Sequence, residues 1–243
     1  MEREQLLCYA LRAQGDYRRI YQNIKEQKPY CAVDYHGAYL TIIDPEYPAA
    51  FLKLKYPPFV LFYHGNLCLL QRKAVAVIGS RNASDYGKDM TVKFVKELSR
   101  RYIIVSGMAK GIDRIAHETA LENGSSIGVL GCGIDYIYPY ENKMLYQAMK
   151  TDQLLISEYP ANHKPFRHHF PFRNRLIAAL GSSLIVTEAQ MHSGTMLTVN
   201  EALELSHDVY AVPYPLSEQE SGCNYLIRQG ANMITNMDDL QNI

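Results

Sequence analysis

The sequence predicts an α/β fold, a mostly parallel sheet with helices on both faces. Three observations carry this expectation. From residue 74 onward, short apolar runs alternate with stretches of helical periodicity, the order that builds a parallel sheet. The runs are continuously apolar rather than alternating, so their strands are buried on both faces. Three early runs end in glycine turns, at Gly79, Ser106-Gly107 and Gly131-Cys132-Gly133. Turns of this kind share one edge of a parallel sheet, where open α/β folds bind ligands.

Residues 1–28 carry two helical faces, Leu6, Leu7, Ala10 and Leu11, then Tyr17, Ile20, Tyr21 and Ile24 after a break at Gly15. Each helix is too short to stand alone and must pack on something. Residues 39–43 suit a strand. Asp44 to Pro58, with four prolines, is expected to be extended or turned. Phe59 to Tyr63 is apolar and ends at the turn His64-Gly65-Asn66. This divides the chain into a small, mainly helical N-terminal domain with a proline-rich connection (1–67) and the sheet domain (68–243). Strands are expected at 74–78, 102–105, 126–130, 154–156, 183–187 and 209–212. Helices are expected at 86–101, 111–122, 141–149, 173–180, 195–205 and 222–229.

Composition narrows the function classes. The 243 residues carry 25 Lys+Arg against 25 Asp+Glu, so no global field marks a nucleic acid or membrane partner, and any polyanion site is local. Five scattered cysteines without a Cys-x-x-Cys pair fit reduced thiols better than a disulfide framework or a zinc site. No signal peptide or apolar span is evident, and a soluble cytoplasmic protein is expected. Neither a cofactor nor a metal is expected.

The stretch Ala74 to Arg81 is a strand running into Gly79-Ser80-Arg81, with helix-capping residues following at Asn82 to Asp85. Free amides and the helix dipole converge at such a turn and favour an anion. The turn lacks the Gly-x-Gly-x-x-Gly pattern, and the second strand brings no acidic residue for a ribose, which argues against a dinucleotide. Gly87-Lys88 lacks the rest of a P-loop. Ser106 to Asp113 forms a second turn with a cation, Lys110. Asp113 and His117, four residues apart, are expected to hydrogen-bond each other.

The most unusual segment is His163 to Arg175. No acidic residue occurs from Ala161 to Thr187, while Lys164, Arg167, Arg173, Arg175, three histidines and three phenylalanines crowd its first half. Cations interleaved with aromatics suit single-stranded nucleic acid, where the cations track phosphates and rings stack on bases. At least one of Phe166, Phe170 and Phe172 is expected to anchor the core instead. Ser193-Gly194-Thr195 is expected to cap the helix that follows and to receive an anion there.

Six ordered motifs then resemble the DprA (Smf) family of DNA-processing proteins. They are Val-Ile-Gly-Ser-Arg (77–81), Ser-Gly-Met-Ala-Lys-Gly-Ile-Asp (106–113) with His117, and Gly-Cys-Gly-Ile-Asp (131–135) with Tyr138-Pro139. Ser-Glu-Tyr-Pro (157–160), His-Phe-Pro-Phe-Arg-Asn-Arg (169–175) and Glu-Ala…Ser-Gly-Thr (188–195) complete the set. The resemblance implies an extended Rossmann-like domain that binds single-stranded DNA, forms a homodimer and loads RecA during natural transformation, displacing or working beside single-strand-binding protein. It implies no catalysis. Its DNA contacts fall on Arg81, Arg167 and Phe170; many members have lysine at the Arg167 position, and arginine keeps the charge but alters the geometry of the phosphate contact. A C-terminal winged-helix module carried by some members is expected to be absent.

Together these readings place phosphate contacts on Arg81, Lys110, Lys164, Arg167, Arg173 and Arg175, and base stacking on Phe170. Gly79, Gly107 and Gly131 would admit the strand close to the backbone, and Ser80, Ser193 and Thr195 would add hydrogen bonds. The competing reading is a nucleotide-binding enzyme. Ser193-Gly194-Thr195…Glu201 loosely resembles the Pro-Gly-Gly-x-Gly-Thr-x-x-Glu loop of phosphoribohydrolases, with the leading Pro-Gly-Gly missing and a longer spacing.

Overall fold

The computed structural model describes residues 1–217 and 221–243. Helices α1 (Arg3–Arg12) and α2 (Tyr17–Lys25) open the chain, followed by β1 (Tyr39–Thr41), the single turn α3 (Ala49–Leu52) and β2 (Val60–Gly65). The alternating part begins with β3 (Ala74–Gly79), α4 (Asp85–Leu98), β4 (Ile103–Ser106), α5 (Ile112–Asn123) and β5 (Ser126–Val129). It continues through α6 (Lys143–Asp152), β6 (Leu154–Ser157), α7 (His169–Leu180), β7 (Ser183–Glu188), α8 (Gly194–Glu204) and β8 (Asp208–Ala211). Helix α9 (Gly222–Arg228) and β9 (Asn232–Met233) follow.

Among the described residues the strands form one sheet in the order β1-β2-β6-β5-β4-β3-β7-β8-β9. All pairs from β6 across to β9 are parallel, while β1 and β2 pair antiparallel at the other edge. The expected fold class is the one observed. The period-two alternation of β3 explains its uniform apolarity: Ala74, Ala76 and Ile78 face one core with α7, α8 and α9, and Val75 and Val77 face another with α4 and α5. Fully burying one such valine stabilises by roughly 1.5–3 kcal/mol. Strand order reverses between β3 and β7, and that switch point opens a crevice beyond the strands' carboxyl ends.

The boundary expected at 67/68 does not separate two cores. Strand β2 lies beside β6 in the same sheet, and Leu61 belongs to one cluster with Leu154 and Ile156. Leu6, Leu7 and Ala10 of α1 pack in a second cluster with Phe62, Leu130 and Leu155. The short N-terminal helices thus find their packing partner on the main sheet, although Tyr21 is exposed rather than buried. Helix α3 was expected to be extended; Pro48 stands at its N-cap, where a missing amide hydrogen costs nothing. For the same reason α7 begins four residues earlier than expected. Pro171 occupies its first turn, whose amides have no partner within the helix in any case.

Candidate nucleic-acid interface

A cleft of about 700 Å³ lies at the switch point. Ser80, Arg81 and Asn82 from the turn after β3 form one wall, and Gln190, Ser193 and Thr195 from the turn after β7 form another. Tyr138, Arg167 and Phe170 close the third side. Arg81 and Arg167 are exposed, and neither enters an ion pair among the described residues. The Arg81 guanidinium stands 5.8 Å from the Phe170 ring centre, within cation–π range. Phe170 itself lies over Gly131, where a Cβ would meet the ring at 2.8 Å, and its centre is 5.5 Å from that of Tyr138. Gly131 therefore seats the ring rather than the nucleic-acid strand.

Two of the backbone anion slots that the sequence suggested are already occupied by the protein's own carboxylates. At the start of α4, Glu188 accepts from the Ser84 amide at 2.9 Å and from the Ser84 hydroxyl at 2.6 Å. In the turn after β4, Asp113 accepts from the amides of Gly107 and Ala109 at 3.2 and 3.3 Å. The expected Asp113–His117 bond is absent: His117 Nδ1 instead meets Ser126 Oγ at 2.7 Å. Burial pushes the Asp113 carboxyl up, with the Arg173 guanidinium opposing it. Gly107 is buried, and a Cβ there would meet Asp113 Oδ2 and both Arg173 Nη atoms at 2.7 Å. That glycine serves internal packing.

Two expected phosphate contacts are corrected. Arg173 is 4% exposed and points Nη1 at the carbonyls of Gly107 (2.6 Å) and Val129, tying two strand ends under the cleft floor. Arg175 is 3% exposed; it holds Glu158 through two bonds of 2.6 Å and donates Nε to the Tyr56 carbonyl at 3.0 Å. Among the other expected contacts, Lys110 is exposed and paired with exposed Glu141, a pairing of small net strength. Lys164 is exposed but does not line the cleft.

Ser193 stands at the N-cap of α8 without capping it; its hydroxyl donates to Gln190 O at 2.8 Å. The first turn of α8 thus opens into the cleft with its dipole positive end. Thr195 donates to Gly79 O at 3.2 Å and locks the two turns together. Glu201 is half-buried on α8 and does not line the cleft. Against expectation, none of the three phenylalanines joins a core cluster among the described residues, because the segment packs along the surface between two hollows. Phe172 is half-buried under the Arg175 guanidinium at 3.7 Å, Phe170 is half-buried over Gly131, and Phe166 is 49% exposed. Sequence reading missed Tyr138 and Gln190 as walls of the cleft. Gln190 stands two residues past the end of β7, a signal that could have found it, whereas Tyr138 lies well along the loop after β5 and carries no such signal.

Two buried imidazoles give a pH signature. Burial depresses His117 to about 3, with Arg173 adding to the effect. His169, stacked 4.0 Å from the Tyr159 ring, is depressed to about 4 by burial and then by His168 and His163. Both stay neutral when folded and take up a proton on unfolding below the ordinary value near 6.5. Their stabilisation is complete above that value and is lost as pH falls towards 4. The unfolding temperature is expected to drop between about pH 7 and about pH 5, and His169→Phe should shrink that drop. An unchanged drop in the variant would remove His169 from the account.

The fold and cleft define an α/β protein with a cationic, aromatic crevice at a sheet switch point and, among the described residues, no uncommitted carboxylate in its walls. Comparison with known proteins makes this specific. The DNA recombination-mediator protein A family matches residues 38–243, and the chain belongs to that family. It is 43% identical over 202 residues to the DNA processing protein DprA of Streptococcus pneumoniae, covering 82% of this chain and 72% of that protein. Identity to the Bacillus subtilis DprA is 37% over 205 residues, 83% of this chain and 69% of that one. The crystal structure of the S. pneumoniae protein superposes with a TM-score of 0.83 over 98% of this chain and 92% of that chain, at 35% identity. DNA processing protein A of Helicobacter pylori, solved for its single-stranded DNA binding mode, superposes at 0.78, with 35% identity over 85% of this chain and 95% of that chain. No helix among the described residues is long and apolar enough to cross a membrane.

Proposed function

We propose that this chain binds single-stranded DNA in the switch-point cleft and loads RecA onto it during recombination of incoming DNA. It acts in the cytoplasm as a homodimer, beside single-strand-binding protein, and by binding rather than by catalysis. The observation that carries this reading is the convergence on one cleft of Arg81 and Arg167, two guanidiniums without an ion pair among the described residues, together with Phe170. Cations alone would suit any anion, and a ring among them suits unpaired bases. The H. pylori relative and the family's recombination role support it. Against a phosphoribohydrolase, the acidic residue lining the cleft among the described residues is Asp113, whose carboxylate is held by two amides.

The test is binding of single-stranded oligonucleotide, duplex and AMP across a salt series. Arg81→Ala is expected to cost about 1.5–3 kcal/mol and to flatten the salt dependence by about 0.7 per lost phosphate contact. Phe170→Ala should weaken binding by about 1–3 kcal/mol with the salt slope unchanged, since stacking releases no counterions. Single-strand binding that survives in both Arg81→Ala and Arg167→Ala would refute the site. Base release from AMP that Glu201→Ala abolishes would establish the enzyme instead.

A further inference from the structure

The segment 163–172 is a ridge with a hollow on each side. Arg167, Phe170 and Pro171 face the cleft, whereas His163, Phe166, His168 and Phe172 face a second groove of about 570 Å³ against α2. Arg18 and Arg19 line its far wall; both are exposed, and neither enters an ion pair among the described residues. The carboxylate in the groove belongs to Asp16 and is engaged by the Arg19 amide at 2.9 Å, as the cap of α2. Two lining rings keep open surface, Phe166 at 49% exposed and Tyr56 at 40%. Gln14 Oε1 meets His163 Nδ1 at 3.2 Å and fixes the ridge to the N-terminal helices.

We infer that this groove is a second subsite for the same DNA strand, which crosses the 163–172 ridge from the cleft and lies between Phe166 and the Arg18–Arg19 wall. The inference rests on the proposed function and adds the strand's onward path. The groove repeats the chemistry of the cleft: guanidiniums without an ion pair among the described residues, opposite a half-exposed ring, and a carboxylate engaged by a backbone amide. An apolar peptide would not need those cations. A subsite of this kind is occupied only when the strand is long enough to reach it.

The experiment titrates wild type, the double variant Arg18→Ala/Arg19→Ala, Phe166→Ala and Arg81→Ala with oligothymidylates of about 6 and about 20 nucleotides, a span set by usual site sizes. Equal unfolding midpoints first establish that the surface variants are folded. The double variant is expected to bind the long strand more weakly, with a salt slope shallower by about 1.4 for two phosphates, and the short strand normally. Phe166→Ala should lose about fivefold or more on the long strand alone. Groove variants that leave the long strand unaffected, or that weaken both lengths equally, overturn the subsite. If Arg81→Ala still weakens both lengths in that case, the cleft stands without the groove. Failure of wild type to bind either oligomer overturns the proposed function itself.

Discussion

Glu158→Ala is expected to lower folding stability by about 3–5 kcal/mol, because it strands a buried guanidinium. The side chains of Arg175 and Glu158 are 4% and 6% exposed, and both carboxylate oxygens are engaged at 2.6 Å. Arg175 also donates to the Phe172 carbonyl at 2.7 Å and to that of Tyr56, so it joins β6, α7 and the proline-rich segment. Removing the carboxylate leaves the cation desolvated with only carbonyls to meet it. Replacing both partners by apolar residues, Glu158→Leu with Arg175→Met, should recover much of the loss, since the pair's own Coulomb gain is largely offset by desolvation. Urea titrations of the two single variants and the double decide it. A loss under about 1 kcal/mol in both singles would mean that the pair behaves like an exposed one.

Gly111→Ala is expected to destabilise by about 2–4 kcal/mol and to weaken single-strand binding as well. Gly111 has φ +72° and ψ −127°, a conformation that a side chain resists. A Cβ there would also stand 2.3 Å from the Ser80 carbonyl oxygen and 2.6 Å from that of Arg81. The next residue, Ile112, donates its amide to Ser80 O at 3.1 Å. The turn after β4 is therefore a buttress for the turn that carries Arg81, and displacing it moves the guanidinium. Gly230 is the control: its φ is +103°, yet nothing lies within 4 Å of an added Cβ. Gly230→Ala should cost stability through backbone strain and leave DNA affinity intact. Equal affinity in folded Gly111→Ala and wild type would refute the buttress.

The sheet was legible because its strands are buried on both faces, so Ala74–Ile78 and Ser183–Thr187 read as apolar runs with glycine or acidic ends. The cleft's location was legible for a related reason, since parallel strands bring their trailing turns to one edge. Which cations face it was not legible. Arg167 and Arg175 sit in the same basic segment and look alike in sequence. Arg175 is buried because Glu158, 17 residues earlier, waits for it, and Arg173 because the Gly107 carbonyl, 66 residues earlier, does. A cation's fate depends on partners that only the folded chain brings near. The 67/68 division failed similarly, since β2 crosses it to join β6 through contacts some 90 residues apart.

The Asp113 carboxylate takes the two amides of the turn after β4, and Glu188 takes the amide and hydroxyl of Ser84 at the start of α4, so donors that a single phosphate could use are engaged internally. What remains for a phosphate is a pair of side-chain cations and the mouth of α8, each a weak hold. Such a surface gains strength by avidity, through many linked phosphates bound in series. It would discriminate by polymerisation: a mononucleotide offers one weak grip, and a strand offers them all together. By that logic, the two internal acids would weaken a mononucleotide's hold on the proposed site far more than a strand's.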